Sequence, residues 1–349
     1  MNFVKHTVCL AAAFCTLFSL TFPARAADED RERFVDKSWD EVVEAFLEEY
    51  DIPPDHVALG YKNTVTGEEH FLNGDTYFIA ASIFKVPLNM VFTEQVYRGE
   101  MTFDDEIAGV PYAQMLELTI IESSNSLSYL LWNALGSYRE YRDCIAPYMG
   151  VDPETADKQY YRGNHFTARQ VIHCLNLLQT ESERFPGLID AMRRAEPENY
   201  FNCHKQKYEI AHKYGYLDAY NVDGRRHIND CAIVYTDEPI VIVMFTLSLP
   251  KPYDALADYC TLMADYAQYH TELRRAEEAQ VTPSPSPSPS PAPTAAPTPA
   301  PTPTPTASPA PVLERDAEAL PVVAAVAAAA AVLLLACAAV FFRGRRHRK

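Results

Sequence analysis

The sequence predicts an α+β domain, an antiparallel sheet with a block of helices inserted into it. Three observations carry this expectation. An amphipathic helix and two strand-like runs open the domain, a long helical region follows, and three strand-like runs and one more helix close it. The first and last strands of the sheet therefore lie far apart in the chain.

Outside that domain the 349 residues read as targeting and tethering segments. Lys5, the apolar run from Val8 to Phe22 and the small-residue site Ala24-Arg25-Ala26 have the layout of a cleaved secretory signal over residues 1–26, with a retained anchor as the competing reading. Residues 27–280 form the globular domain, long enough for a full core. Residues 281–319 are mostly Pro, Ser, Thr and Ala and contain no glycine. Such a composition builds no core and favours extended polyproline II, a disordered stalk that at about 3.1 Å per residue spans on the order of 100 Å. Residues 320–342 are apolar and long enough for one transmembrane helix, and the basic tail 343–349 belongs on the cytoplasmic side. Leu320-Pro321 also resembles the start of a cell-wall sorting signal, but Val323 and Ala324 stand where Thr and Gly belong. The expected location is the cell membrane, single-pass, with the globular domain extracellular.

Within the domain, Ser38-Trp39-Asp40-Glu41 is a capping box, and Trp39, Val42, Val43, Phe46, Leu47 and Tyr50 follow helical spacing. Val57 to Tyr61 and His70 to Leu72 flank the turn Thr64-Val65-Thr66-Gly67 and read as paired strands. A helix is expected from Ser82 to Tyr97, with Pro87 imposing a kink or a late start. Tyr112 to Leu135 divides into two helices at Glu122-Ser123-Ser124-Asn125, where residues that bond their own backbone interrupt an apolar stretch. A further helix spans Thr167 to Gln179. Strands are expected over Ile210 to Leu217, Cys231 to Tyr235 and Ile240 to Leu247, then a helix over Tyr253 to Ala276.

Charge narrows the partners. Seven of the 30 basic residues lie in the signal and the tail, so 23 face 47 acidic residues in between, a balance near −24. This argues against nucleic acid or anionic lipid as partner of the domain. Its five cysteines, Cys144, Cys174, Cys203, Cys231 and Cys260, are odd in number and contain no Cys-x-x-Cys. Cys174, Cys231 and Cys260 fall in apolar runs and read as buried thiols, while one disulfide stays open. No histidine pattern has metal-ligand spacing, so no metal is expected.

Chemistry concentrates in Ala80-Ala81-Ser82-Ile83-Phe84-Lys85. A serine hydroxyl needs a base to become a nucleophile, and a lysine three residues later on a helix lies on the same face. Small residues before the serine let a backbone pass close to a substrate, and the unpaired N–H groups of a helix start suit an anionic intermediate. The spacing alone also suits an N-cap followed by a solvated lysine.

Ser123-Ser124-Asn125 and Lys213-Tyr214-Gly215 follow in order. With Ser82-Ile83-Phe84-Lys85 they are similar to the active-site set of bacterial serine penicillin-recognising enzymes, Ser-x-x-Lys, Ser-x-Asn and Lys-Thr/Ser-Gly. The chain resembles class A β-lactamases over the whole globular domain, and Gly99 to Asp105 and Asn229 to Tyr235 add to the resemblance. It implies a β-lactamase/D,D-peptidase-like fold, an acyl-serine intermediate, no cofactor and a monomer acting on a β-lactam or a peptidoglycan-type peptide. Ser82 would be acylated, with Lys85 as its proton acceptor and Ser123 relaying a proton to the leaving nitrogen. Asn125 would hold a substrate amide, Lys213 would support the relay and the substrate's anionic end, and the N–H groups of Ser82 and Tyr216, beside Gly215, would form the oxyanion hole.

Two departures qualify this. The loop Gly150 to Phe166 lacks the Glu-x-x-Leu-Asn segment whose glutamate activates the deacylating water in class A enzymes, leaving Glu154 and Asp157 as substitutes. Tyr214 replaces the Thr or Ser that grips a β-lactam carboxylate, leaving Arg225 or Arg226 as an anchor. The resemblance therefore leaves open a β-lactamase with slow deacylation, a D,D-carboxypeptidase, and a non-catalytic receptor for penicillins or wall peptides.

Overall fold

The computed structural model describes residues 31–196, 199–204, 206–218 and 224–281. The expected signal, the stalk beyond Val281, the membrane segment and the basic tail lie outside the described residues. Among the described residues no helix is long and apolar enough to cross a membrane.

Helix α1 (Trp39–Glu49) starts at the capping box, where the Ser38 backbone N–H donates to Glu41 Oε2 at 2.7 Å and Glu41 N–H to Ser38 Oγ at 3.3 Å. It buries Trp39, Val42, Val43, Phe46 and Leu47, the stripe that helical spacing picks out. Strands β1 (Val57–Asn63) and β2 (Glu69–Leu72) pair antiparallel around a turn in which Asn63 Oδ1 accepts from the Val65 and Thr66 N–H groups. The short β3 (Phe78–Ile79) leads into a 3-10 turn, Ala81–Phe84, and then α2 (Lys85–Tyr97). Pro87 sits in the first turn of α2, where its missing N–H costs nothing, so it sets a late start.

A hairpin of β4 (Glu106–Ile107) and β5 (Val110–Pro111) precedes α3 (Tyr112–Ile120) and α4 (Asn125–Ala134), with the break at the expected place. Helix α5 (Tyr138–Ile145), a loop, β6 (His165–Phe166), α6 (Ala168–Thr180) and α7 (Leu188–Arg193) complete the helical block. Strands β7 (Ile210–Leu217), β8 (His227–Val234) and β9 (Ile240–Thr246) and helix α8 (Pro252–Val281) close the domain.

The main sheet runs β2-β1-β9-β8-β7, antiparallel throughout, which places the last three strands beside the first. Strand side chains alternate, so each strand feeds two cores. In β9, Val241, Val243 and Phe245 pack with the helical block, while Ile240, Ile242 and Met244 pack under α1 and α8. Strand β8 begins four residues before the expected start at Cys231. Its polar beginning is satisfied inside the fold, with Asn229 Nδ2 donating to Ile79 O at 2.8 Å and Asn229 Oδ1 accepting from Thr246 N–H at 2.9 Å. Strand β7 is the edge strand, and the Ala80–Ser82 segment packs against it at Gly215. A Cβ on Gly215 would stand 2.6 Å from Ala80 O, so glycine is what admits this approach.

Candidate active site

Three elements meet at Ser82: the 3-10 turn that carries it, the turn before α4, and the edge strand β7. Ser82 is half-buried, one residue after Ala81, which is left-handed at φ 49° despite its Cβ. Ser123 is also left-handed, at φ 56°. Such residues persist only where their surroundings hold them, and they gather at functional sites.

Lys85 opens α2 and is fully buried. Its Nζ donates to Ser123 O at 2.6 Å, Ser123 Oγ at 3.0 Å and Asn125 Oδ1 at 2.8 Å, a full set of partners for an ammonium. None of the described hydrogen bonds joins it to Ser82. The 123–125 turn offers three acceptors at once, and a proton transfer from Ser82 requires this amine to give one up. Catalytic contacts are often made only in the substrate complex. Burial pulls the Lys85 pKa down from 10.5 to about 7, so near neutral pH a large share of the amine is unprotonated and basic. Asn89, buried one turn later, donates to Lys85 O at 2.8 Å and Thr119 Oγ1 at 3.0 Å, tying α2 to α3 beneath the site.

Lys213 is also buried. Its Nζ donates to Tyr214 O at 3.1 Å and lies 3.6 Å from the centroid of the Tyr214 ring. Its described hydrogen bond thus goes to its own strand rather than to Ser123. Desolvation pushes its pKa well below the usual lysine value, the Lys85 charge pushes the same way, and buried Asp230 opposes. Two nearby lysines withdrawn from water do not both hold a proton cheaply, and each favours the neutral form of the other. The Tyr214 ring stacks on Tyr200 at 4.6 Å, and burial raises the phenol pKa while the Ser123 hydroxyl partly offsets the rise. Tyr216 is 47% exposed at the mouth.

Ser82, Lys85, Ser123, Asn125, Lys213 and Gly215 therefore converge, although they come from three separate stretches, and Tyr216 follows Gly215 on β7. The candidate acids of the 150–166 loop do not join them. Glu154 and Asp157 are exposed, and their neighbourhood is self-capping: Asp152 Oδ1 accepts from Glu154 N–H at 3.0 Å and Asp157 Oδ1 from Gln159 N–H at 2.8 Å. Arg226 donates to Leu249 O at 2.9 Å. Desolvation raises the Tyr216 pKa, and the nearby Arg226 charge offsets only part of that rise. Sequence reasoning missed Asn164, whose Nδ2 donates to Ala81 O at 2.6 Å. Nothing in its local pattern signals this, because the contact spans 83 positions. Among the described residues no group of His, Cys, Asp or Glu has the makings of a metal site, and all five cysteines are free, with Cys174, Cys231 and Cys260 buried.

A nucleophile beside a buried low-pKa amine, a hydroxyl on that amine and backbone donors at a turn are the parts of acyl transfer. A family model, the β-lactamase enzyme family, matches residues 39–264. A comparison with curated proteins finds no match. Among solved structures, a β-lactamase from Chitinophaga pinensis is 22% identical with a TM-score of 0.51, covering 61% of this chain and 94% of its own. The TLA-1 extended-spectrum β-lactamase is 14% identical with a TM-score of 0.56, covering 66% and 100%. An ancestral class A β-lactamase is 17% identical with a TM-score of 0.51, covering 67% and 98%. At these identities the likeness is one of fold.

Proposed function

Because the chain belongs to the β-lactamase enzyme family, we propose that it is a serine hydrolase in which Ser82 is acylated by a β-lactam and released slowly. The observation that carries this reading is Lys85, a fully buried amine with a pKa near 7 wired to Ser123 and Asn125. Neutral Lys85 takes the Ser82 proton as Oγ bonds to the substrate carbonyl carbon. The resulting oxyanion rests on the Ser82 and Tyr216 N–H groups. As the C–N bond breaks, the leaving nitrogen takes a proton from Ser123, which is reprotonated by Lys85, so the amine returns to its neutral form. Asn125 Oδ1 is occupied by Lys85, which leaves its Nδ2 for a substrate carbonyl.

Slow release follows from the exposed, self-capped acids of the 150–166 loop. A D,D-carboxypeptidase acting on peptidoglycan peptides uses the same acylation steps. The Tyr214 ring, held between Tyr200 and Lys213, favours a second reading, a receptor that uses the cleft without turnover. We place the domain outside the cell, on a stalk with one membrane helix and a cytoplasmic tail, from the sequence of residues 1–26 and 281–349, and take it as a monomer from the family resemblance. The deciding experiment is intact-protein mass after penicillin. An adduct mapped to Ser82 supports acylation, its lifetime separates hydrolysis from trapping, and no adduct favours the receptor. For the topology, external protease on intact cells is expected to release an active soluble domain; a domain digested only after lysis contradicts it.

A further inference from the structure

Asn164 lies on the loop before β6 and grips the chain on both sides of Ala81. Its backbone carbonyl accepts from the Ala80 N–H at 2.9 Å, and its Nδ2 donates to Ala81 O at 2.6 Å. Between those two contacts sits the left-handed Ala81, in a conformation that a Cβ disfavours and that needs outside support.

The second contact has a directional consequence. A peptide unit is planar and trans, so its C=O and N–H point opposite ways. The unit whose carbonyl is Ala81 O has the Ser82 N–H as its donor. With the carbonyl held on Asn164, the Ser82 N–H points away from the loop. The segment is braced on β7 as well, where a Cβ on Gly215 would stand 3.1 Å from Ser82 N. The geometry points to Asn164 as a positioning residue that aims the Ser82 oxyanion-hole N–H by clamping the left-handed Ala81 peptide. This rests on Ser82 being the acylated residue. The loop that lacks a deacylating glutamate thus serves the acylation half of the reaction.

The test uses the full chain as wild type, Asn164→Asp, Asn164→Ala, and Asn164→Ala combined with Ala81→Gly. Ionised aspartate matches asparagine in size but offers no donor, and glycine takes positive φ without the Cβ penalty. Two quantities are read: the rate of acyl-Ser82 formation with penicillin, and the affinity for phenylboronic acid, whose tetrahedral serine adduct places an oxygen in the oxyanion position. Losing an oxyanion donor outright costs about 10²- to 10³-fold, so misaiming one is expected to slow acylation by about 10- to 100-fold in both single variants, with boronate affinity falling in parallel. Ala81→Gly is expected to restore most of the loss in Asn164→Ala, which a merely structural contact would not permit. Wild-type acylation and boronate affinity in folded Asn164→Asp overturn the clamp, as does a double variant no faster than Asn164→Ala. If Asn164→Asp does not fold, the rescue pair decides. A wild type that forms no acyl-Ser82 overturns the reading beneath it, a result distinct from either.

Discussion

Ser82 has two flanks, and they are equipped differently. On one, the 123–125 turn meets Lys85 through three hydrogen bonds of 2.6 to 3.0 Å. On the other, the 150–166 loop presents a carboxamide, Asn164, while Glu154 and Asp157 face solvent. The difference separates the two halves of an acyl-transfer cycle. On the proposed function, the first flank would supply a base and a relay for forming the acyl-serine, whereas the second holds the Ala80–Ala81 backbone and keeps Glu154 and Asp157 in solvent. General-base assistance is typically worth about 10² to 10⁴ in rate, roughly 3 to 5 kcal/mol of barrier, and on this reading only acylation would have it.

The largest expected effect lies on the first flank. Ser82→Ala should remove all covalent labelling by a penicillin reporter while circular dichroism stays unchanged, because the helix start keeps its backbone donors. Labelling that persists at another residue breaks the comparison. Lys85→Ala should slow labelling by about 10² to 10⁴, and stopped-flow measurement of the acylation phase checks it.

Next in size is the pH dependence. Burial favours the neutral form of Lys85, whose pKa is about 7 in the fold against an ordinary 10.5. Acylation should therefore rise about tenfold per pH unit below 7 and flatten above it. Stability carries the same sign. Between about pH 7 and 10.5 the unfolded chain binds a proton that the folded Lys85 does not, so this group's contribution improves as pH rises through that window. Lys85→Met should remove that rise, and urea unfolding at pH 7 and pH 9 measures it. The smallest effects belong to the second flank. Glu154→Ala and Asp157→Ala should each change the lifetime of the acyl-enzyme by less than about twofold, and a large change in either would transfer the missing base to the loop.

Much of this was legible in the sequence, for local reasons. The Ser38 capping box, the apolar stripe of α1 and the strand-like runs of β7 and β9 are short-range patterns, and each formed the expected element. That the three motifs form one set came from the family resemblance and not from their spacing, and the fold brings the turn at Ser82, the turn before α4 and β7 side by side. What stayed hidden is long-range. The early start of β8 depends on Asn229 finding Ile79 and Thr246 across the fold. Helices α5 and α7 and the β3–β6 ladder were not anticipated either. The partners of Lys85 were hidden for the same reason: the three-residue spacing to Ser82 is local, whereas its three acceptors come from the 123–125 turn, some 40 positions away.

The asymmetry between the flanks is tested most directly by following the mass of the intact protein from milliseconds to minutes after mixing with a stoichiometric excess of penicillin. The account predicts rapid, complete conversion to a single adduct on Ser82 that decays slowly, with ring opening in solution showing a stoichiometric burst and then a slow linear phase. Hydrolysis at hundreds of turnovers per second with no detectable adduct would contradict it, since an efficient base would then be acting on the flank where Glu154 and Asp157 face solvent.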